Sequence, residues 1–254
     1  MIRKLAVAIL TLVTMAALCA PLIAPYPYDQ QFRDAPHAGA GGRFPMGTDD
    51  LGRDRLSRLL YATRISLVLA AAAALVSVAL ALPLSGFTSL TTLCLSLPWI
   101  FLFIILRALL PLNTSPLASI LLTFALMGVA GWAWPARIFA ASIRQIRQSG
   151  WLLQARACGL SRRRIAVVHI WPHLRAIAAA QFRVLIPAYI LSEASLGLLG
   201  LGVAEPLPSW GNLLSELQRP EAVRENPWVL APLGLLMIVM ICLEALTPAK
   251  ASAP

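Results

Sequence analysis

The sequence predicts an all-α polytopic membrane protein, and three observations carry that prediction. Of 254 residues, 59% are hydrophobic and 13% charged, whereas a soluble domain is about 45–50% apolar and about 25% charged. Between Arg64 and Arg107 lie 42 consecutive residues without Asp, Glu, Lys or Arg, about twice the roughly 20 apolar residues that cross a bilayer. Further apolar runs recur along the chain, separated by clusters of Pro, Asn, Ser and Arg. The net charge of +10 first suggests nucleic acid, but a nucleic-acid binder displays its charge on a solvated face. Apolar runs of this length exclude that partner, and they exclude a soluble enzyme and a disordered chain as well. The cysteines at 19, 94, 158 and 242 are too far apart for a C-x-x-C metal or redox motif and read as small buried hydrophobes.

Six spans follow in order. Leu5 to Ala24, after Arg3 and Lys4, reads as an uncleaved helix, because Leu18 occupies a place where cleavage needs a small side chain and Pro21 follows directly. The charge-free run divides into a second span over Ile65–Leu84 and a third over Leu90–Leu106. Leu84-Ser85-Gly86, with Thr88 and Ser89, marks the turn between them. Pro111, Asn113, Ser115 and Pro116 precede a fourth span over Leu117–Pro135. A fifth covers Ala176–Gly200, interrupted by Arg183, Pro187 and Glu193, and a sixth lies within Asn226–Leu243. This divides the chain into 1–64 (first helix and outer loop), 65–247 (the membrane core) and a tail over 248–254.

Orientation rests on the segment between spans four and five. Arg137, Arg144, Arg147, Arg156, Arg162, Arg163, Arg164 and Arg175 stand there without one acid. Basic residues of short loops stay in the cytoplasm, so 137–175 is cytoplasmic, and six spans then put both termini on the same side.

Two loops carry patterned residues. In the outer loop, Gly47-Thr48-Asp49-Asp50-Leu51-Gly52-Arg53-Asp54-Arg55-Leu56-Ser57-Arg58 offers Thr48 or Asp49 as the cap of a short interfacial helix bearing Asp54, Ser57 and Arg58. In the cytoplasmic segment, Leu152, Ala155 and Gly159 share a helical face, and the glycine is placed to end that helix. Ser161 can cap a second basic helix from Arg162 to Ile170-Trp171-Pro172. Two short helices outside the membrane make a docking surface or simply a solvated face. His169 and His173 are four apart but lack the acid of an H-E-x-x-H motif, so no metal site is read there.

These residues resemble the inner-membrane permeases of binding-protein-dependent ABC transporters, in the dipeptide, oligopeptide and nickel group and its second-subunit type. The outer G-T-D-x-x-G-R-D-x-x-S-R element is matched at Gly47, Thr48, Asp49, Gly52, Arg53, Asp54, Ser57 and Arg58. The cytoplasmic motif is matched at Ala155, Gly159, Ile170 and Pro172. A third element, E-A-S-L-x-x-L-G-L-G then P-x-P-S-W-G, is matched from Glu193 to Gly211 and includes Ser195 and Trp210. Leu153-Gln154-Ala155 stands where the family usually has Glu-Ala-Ala, Thr92 stands where an Asp is typical, and the link into span three is short.

The resemblance implies a type I ABC importer permease in a bacterial inner membrane. Its implied partners are a sister permease, two ATP-binding subunits that use ATP and Mg, an extracytoplasmic solute-binding protein and the lipid bilayer. The chain has no G-x-x-x-x-G-K-[ST] loop, so no cofactor and no ATPase activity of its own are expected. Coupling to the ATPases falls to Leu152, Ala155, Arg156, Gly159, Ser161, Arg162, Ile170 and Pro172. Arg183, Glu193 and Ser195 are candidates for the translocation path, with a structural carboxylate as the other reading of Glu193. Trp210 anchors the interface or meets the binding protein. A self-contained secondary transporter or channel is the alternative function, and the solute (peptide, nickel or another small molecule) is left open.

Overall fold

A computed structural model describes residues 1–98, 101, 104, 105 and 115–246, which are helical throughout their regular structure. Residues 99, 100, 102, 103 and 106 of the predicted third span and the tail over 248–254 lie outside the described residues. The principal helices are α1 (Ile2–Leu18), α2 (Arg55–Leu84), α3 (Thr88–Ser96), α4 (Pro116–Ala130), α5 (Ala133–Arg147), α6 (Gly150–Ala157), α7 (Trp171–Leu198), α8 (Trp210–Ser215) and α9 (Ala231–Leu246). Among the described residues four continuous stretches are long and apolar enough to cross a membrane: Arg55–Leu84, Pro116–Arg147, Ile165–Leu198 and Pro227–Leu246. The predicted first span breaks after Leu18 and resumes as a single turn over Ala20–Ile23.

Three of the predicted boundaries are corrected. The second span does not begin at Ile65 after a separate interfacial helix; one 30-residue helix runs from Arg55, capped by Asp54 rather than by Thr48 or Asp49. The Asp54 carboxylate accepts from the Ser57 N–H at 2.7 Å, and the charged first turns stay helical because other loops cover and pair them. The fourth span does not stop at Pro135. The chain pivots at Gly131-Trp132 and continues as α5 to Arg147; Pro135 falls in the first turn, where its missing N–H has no intrahelical partner to lose. Arg137, Arg144 and Arg147 therefore ride on a helix and not in a loop. The fifth span begins at Ile165 with a wide turn to Ile170 that passes directly into α7, and Pro187 does not interrupt it. The Ser161-capped segment is thus the foot of that span rather than a free second helix.

α2, α4 and α7 form the centre of the bundle, with α2 against α7 the most extensive contact. Small residues on α2, including Ala62, Ala70, Ala73 and Ala74, are buried and bring the neighbours close. Membrane helices associate through such close approach because lipid supplies no hydrophobic drive between them. A Cβ on Gly128 would lie 3.1 Å from the Ala73 carbonyl oxygen. One polar knot crosses this contact: Ser77 Oγ donates to the Gly128 carbonyl at 2.6 Å and lies 2.5 Å from Tyr189 Oη. A second core lies at the other end of the bundle, where Ala81, Phe139, Ile146, Leu152, Ile165 and Leu174 meet.

Candidate functional site

At the end of the bundle that the sequence places outside, called the outer end, the first and third sequence motifs converge. Gly47 and Gly52, with φ of +75° and +73°, shape a tight loop whose Thr48 and Asp54 face each other as an isolated β-bridge. Asp49 Oδ1 accepts from the N–H groups of Leu51 and Arg53 at 3.0 and 2.8 Å. Its Oδ2 is 2.7 Å from Arg53 Nε and 3.7 Å from Arg58 Nε. Both guanidinium groups then reach Glu205, Arg53 at 2.6 Å and Arg58 at 3.0 Å. Arg58 is 1% exposed, so it is desolvated and depends on these partners. Burial alone would push the Arg53 guanidinium down, but Asp49 and Glu205 hold it above its ordinary value. Two acids and two arginines balance, and Arg55 with Glu216 adds a second buried pair at 2.5 Å.

Beneath this network, the end of α7 crosses α8 glycine on glycine. A Cβ on Gly197 would come within 2.2 Å of the Gly211 backbone, which leaves room for no other residue. That approach lets the Gly211 N–H donate to Glu193, whose two oxygens are each 3.3 Å away, and Ser66 Oγ adds a bond at 3.4 Å. Glu193 is fully buried and joins α2, α7 and α8. Trp210 is buried as well; its indole Nε1–H donates to Thr63 Oγ1 at 3.1 Å. It neither anchors the interface nor presents a contact to a partner, because the loop folds into a helix that inserts the indole against α2.

Arg183 and Ser195 lie on the exposed side of α7. Ser195 Oγ donates to the Leu191 carbonyl at 2.8 Å. Sequence reasoning did not single out Glu205, Glu216 or Thr63. The available clue was the need of buried arginines in the outer motif for acids from elsewhere.

At the opposite end, α6 stands between α5 and the foot of the fifth span. Leu152 is fully buried and fastens α6 to the inner core. Gln154, Ala157 and Cys158 are exposed, and Ala155 is half-buried. Gly159 has φ of +75° and ends the helix, with the Leu160 N–H donating to the Ala155 carbonyl at 3.2 Å. Ser161 Oγ accepts from the Arg164 N–H at 3.3 Å. Ile170 and Pro172 are half-buried; the side chains of Arg156 and Arg162 lie outside the described residues. Trp151 stacks on the His173 ring with centroids 5.7 Å apart and leans on His169 at 5.8 Å. Among the described residues no group of three His, Cys, Asp or Glu is placed to hold a metal.

The architecture is that of the helical membrane-protein class, with a charge clasp at one end and a short helix between two long spans at the other. Comparison with known proteins gives the same class. Residues 66–248 match the family described as binding-protein-dependent transport system inner membrane component, and the chain belongs to that family. It is 32% identical to the oligopeptide transport system permease protein OppC of Escherichia coli over 92% of this chain and 80% of that protein. It is 29% identical to the di/tripeptide transport system permease protein DppC of Pseudomonas aeruginosa, covering 91% and 79%. The OppC protein of Bacillus subtilis is 28% identical, covering 91% and 78%. The chain is therefore a membrane subunit of an ABC importer without an ATPase site of its own, and not a self-contained secondary transporter.

Proposed function

We propose that this subunit forms, with a sister permease, an inner-membrane path for short peptides, delivered by a solute-binding protein and driven by two ATP-binding subunits that use ATP and Mg. The names of the relatives support the peptide class. The arginine-only stretch supports a cytoplasmic 137–175 and cytoplasmic termini. Within that reading α6 is the ATPase docking element, and the observation that carries it is the asymmetry of this helix. Leu152 is rooted in the core shared by α5 and α7, while Gln154, Ala157 and Cys158 are presented outward. A displacement of α6 by ATP-driven closure is thereby passed to two spans at once, as a rigid-body change biased by nucleotide. Gly159 and Ser161 set where α6 ends and the foot of the fifth span begins. Arg183 and Ser195 face the path from α7, and Glu193 braces that helix from behind.

The test is Gly159→Trp. The space beside Gly159 is open, but its φ strains any L side chain, so the substitution moves the docking edge without disturbing the bundle. Expected is normal insertion, with Cys158 labelled by a membrane-impermeant maleimide from the cytoplasmic side, retained ATP hydrolysis, and peptide uptake reduced by about tenfold or more. Unchanged uptake would remove the docking assignment. Labelling of wild-type Cys158 from outside the cell would remove the orientation.

A further inference from the structure

On the side of the bundle that the reading above assigns to the cytoplasm, the turn after α2 and the start of α3 pack against α5. They leave a cavity of about 210 Å³ lined by Ser85, Thr88, Thr91, Thr92, Arg137 and Arg144. Arg137 and Arg144 lie two turns apart on α5 and are exposed; no hydrogen bond or ion pair engages either guanidinium among the described residues. Three of the four hydroxyl protons are already committed, since Ser85, Thr91 and Thr92 each donate to a backbone carbonyl at 2.7, 2.9 and 2.9 Å. The side-chain cations facing this space are therefore the two arginines, which calls for an anion. The same elements expose a collar of large apolar side chains, Phe87, Leu90 and Leu93 beside α3 and Trp134 one turn before Arg137. Trp marks the headgroup level of a bilayer, and arginines just beyond it, toward water, stand at the depth of lipid phosphates.

We infer that this cavity binds the phosphodiester headgroup of an anionic phospholipid of the cytoplasmic leaflet, with Arg137 and Arg144 on the phosphate and the acyl chains lying on Phe87, Leu90 and Leu93. A free phosphate would satisfy the arginines but has no use for the apolar collar. Basic pockets between membrane helices on this face recognise anionic headgroups, and each arginine near the surface adds appreciably to the attraction. The site joins the end of α2 to α5, the helix that carries α6, so a bound lipid would tie the two together. The assignment rests on the cytoplasmic placement of 137–175, which Cys158 labelling tests separately; lipid binding in detergent does not depend on it.

The experiment is native mass spectrometry of the transporter complex purified in mild detergent, titrated with phosphatidylglycerol, phosphatidylcholine or inorganic phosphate. Wild type should retain phosphatidylglycerol about tenfold or more over phosphatidylcholine. Arg137→Gln with Arg144→Gln should erase that preference, and the double lysine variant should keep most of it. Arg163→Gln with Arg164→Gln removes the same charge elsewhere in the segment and should leave the preference intact. Equal loss in this second pair would replace the site with diffuse attraction. Displacement of the lipid by millimolar phosphate would replace it with a free-anion site, and absence of any preference in wild type would remove it altogether.

Discussion

The two ends of this bundle treat charge in opposite ways. At the outer end the buried Asp49, Arg53 and Arg58 pair with one another and with the half-exposed Glu205, and beside them Arg55 pairs with Glu216. At the other end Arg137, Arg144, Arg147, Arg163, Arg164 and Arg175 are exposed on a stretch that contains no acid. Charges that neutralise each other in a desolvated site hold three chain segments in a single arrangement. Charges left in water or at a headgroup bind what comes to them. The first end is fixed in one arrangement and the second leaves its charges unpaired among the described residues, a division that agrees with the docking role proposed for α6.

Paired substitutions would break or sharpen that contrast. The largest expected effect is Trp210→Ala, which empties a buried site and removes the bond to Thr63, costing about 4 kcal/mol by large-to-small cavity behaviour. Trp151→Ala at the exposed inner end should cost no more than about 1 kcal/mol. Thermal unfolding in detergent measures both, and equal losses would abolish the distinction. Glu205 is half exposed, but Glu205→Gln leaves two buried arginines to share Asp49 and should cost about 1–2 kcal/mol, against about 0.5 kcal/mol or less for Arg163→Gln. Adding Arg58→Gln to Glu205→Gln should cost less than the sum of the single changes, because the two side chains form one network.

The smallest effect belongs to the clasp's solvated edge. Asp50 pairs there with Arg219, both partly exposed, and Asp50→Asn should cost about 0.5 kcal/mol at most. Burial pushes Asp50 up, but the bond and charge of Arg219, with His37 and Arg55, more than offset it and hold the carboxyl below its ordinary value. Its contribution is complete above the unfolded carboxyl value near pH 4 and is lost as pH falls through the lower folded value. Unfolding followed from pH 7 downward should show Asp50→Asn and wild type converging only in that acid range.

Hydropathy and turn residues made the membrane class, the break at 84–86, the last span and the glycine at the end of α6 legible, because each depends on local chemistry alone. The start of α2 was not legible. Its first ten residues look too charged for a membrane helix, and only Glu205 and Glu216, some 150 residues away, make them compatible with one. Pro135 misled for a related reason: a proline breaks a helix interior but not a first turn, and the pivot at Gly131 that makes a first turn there is a tertiary event. Trp210 read as an anchor because position in sequence does not reveal that Gly197 and Gly211 meet and draw the indole inward. The outer motif was visible as a string of residues, while its function as a clasp depended on acids from another part of the chain.

One consequence of the length of α2 concerns leverage. Its 30 residues reach about 45 Å at 1.5 Å per residue, with the first turn held in the outer clasp and the last beside Ser85. A rod fixed at one tip and inclined by about 10° carries its free tip sideways by about 8 Å over that span while the fixed tip hardly shifts. A helix held in this way can displace its far end without breaking any of the ion pairs at its start.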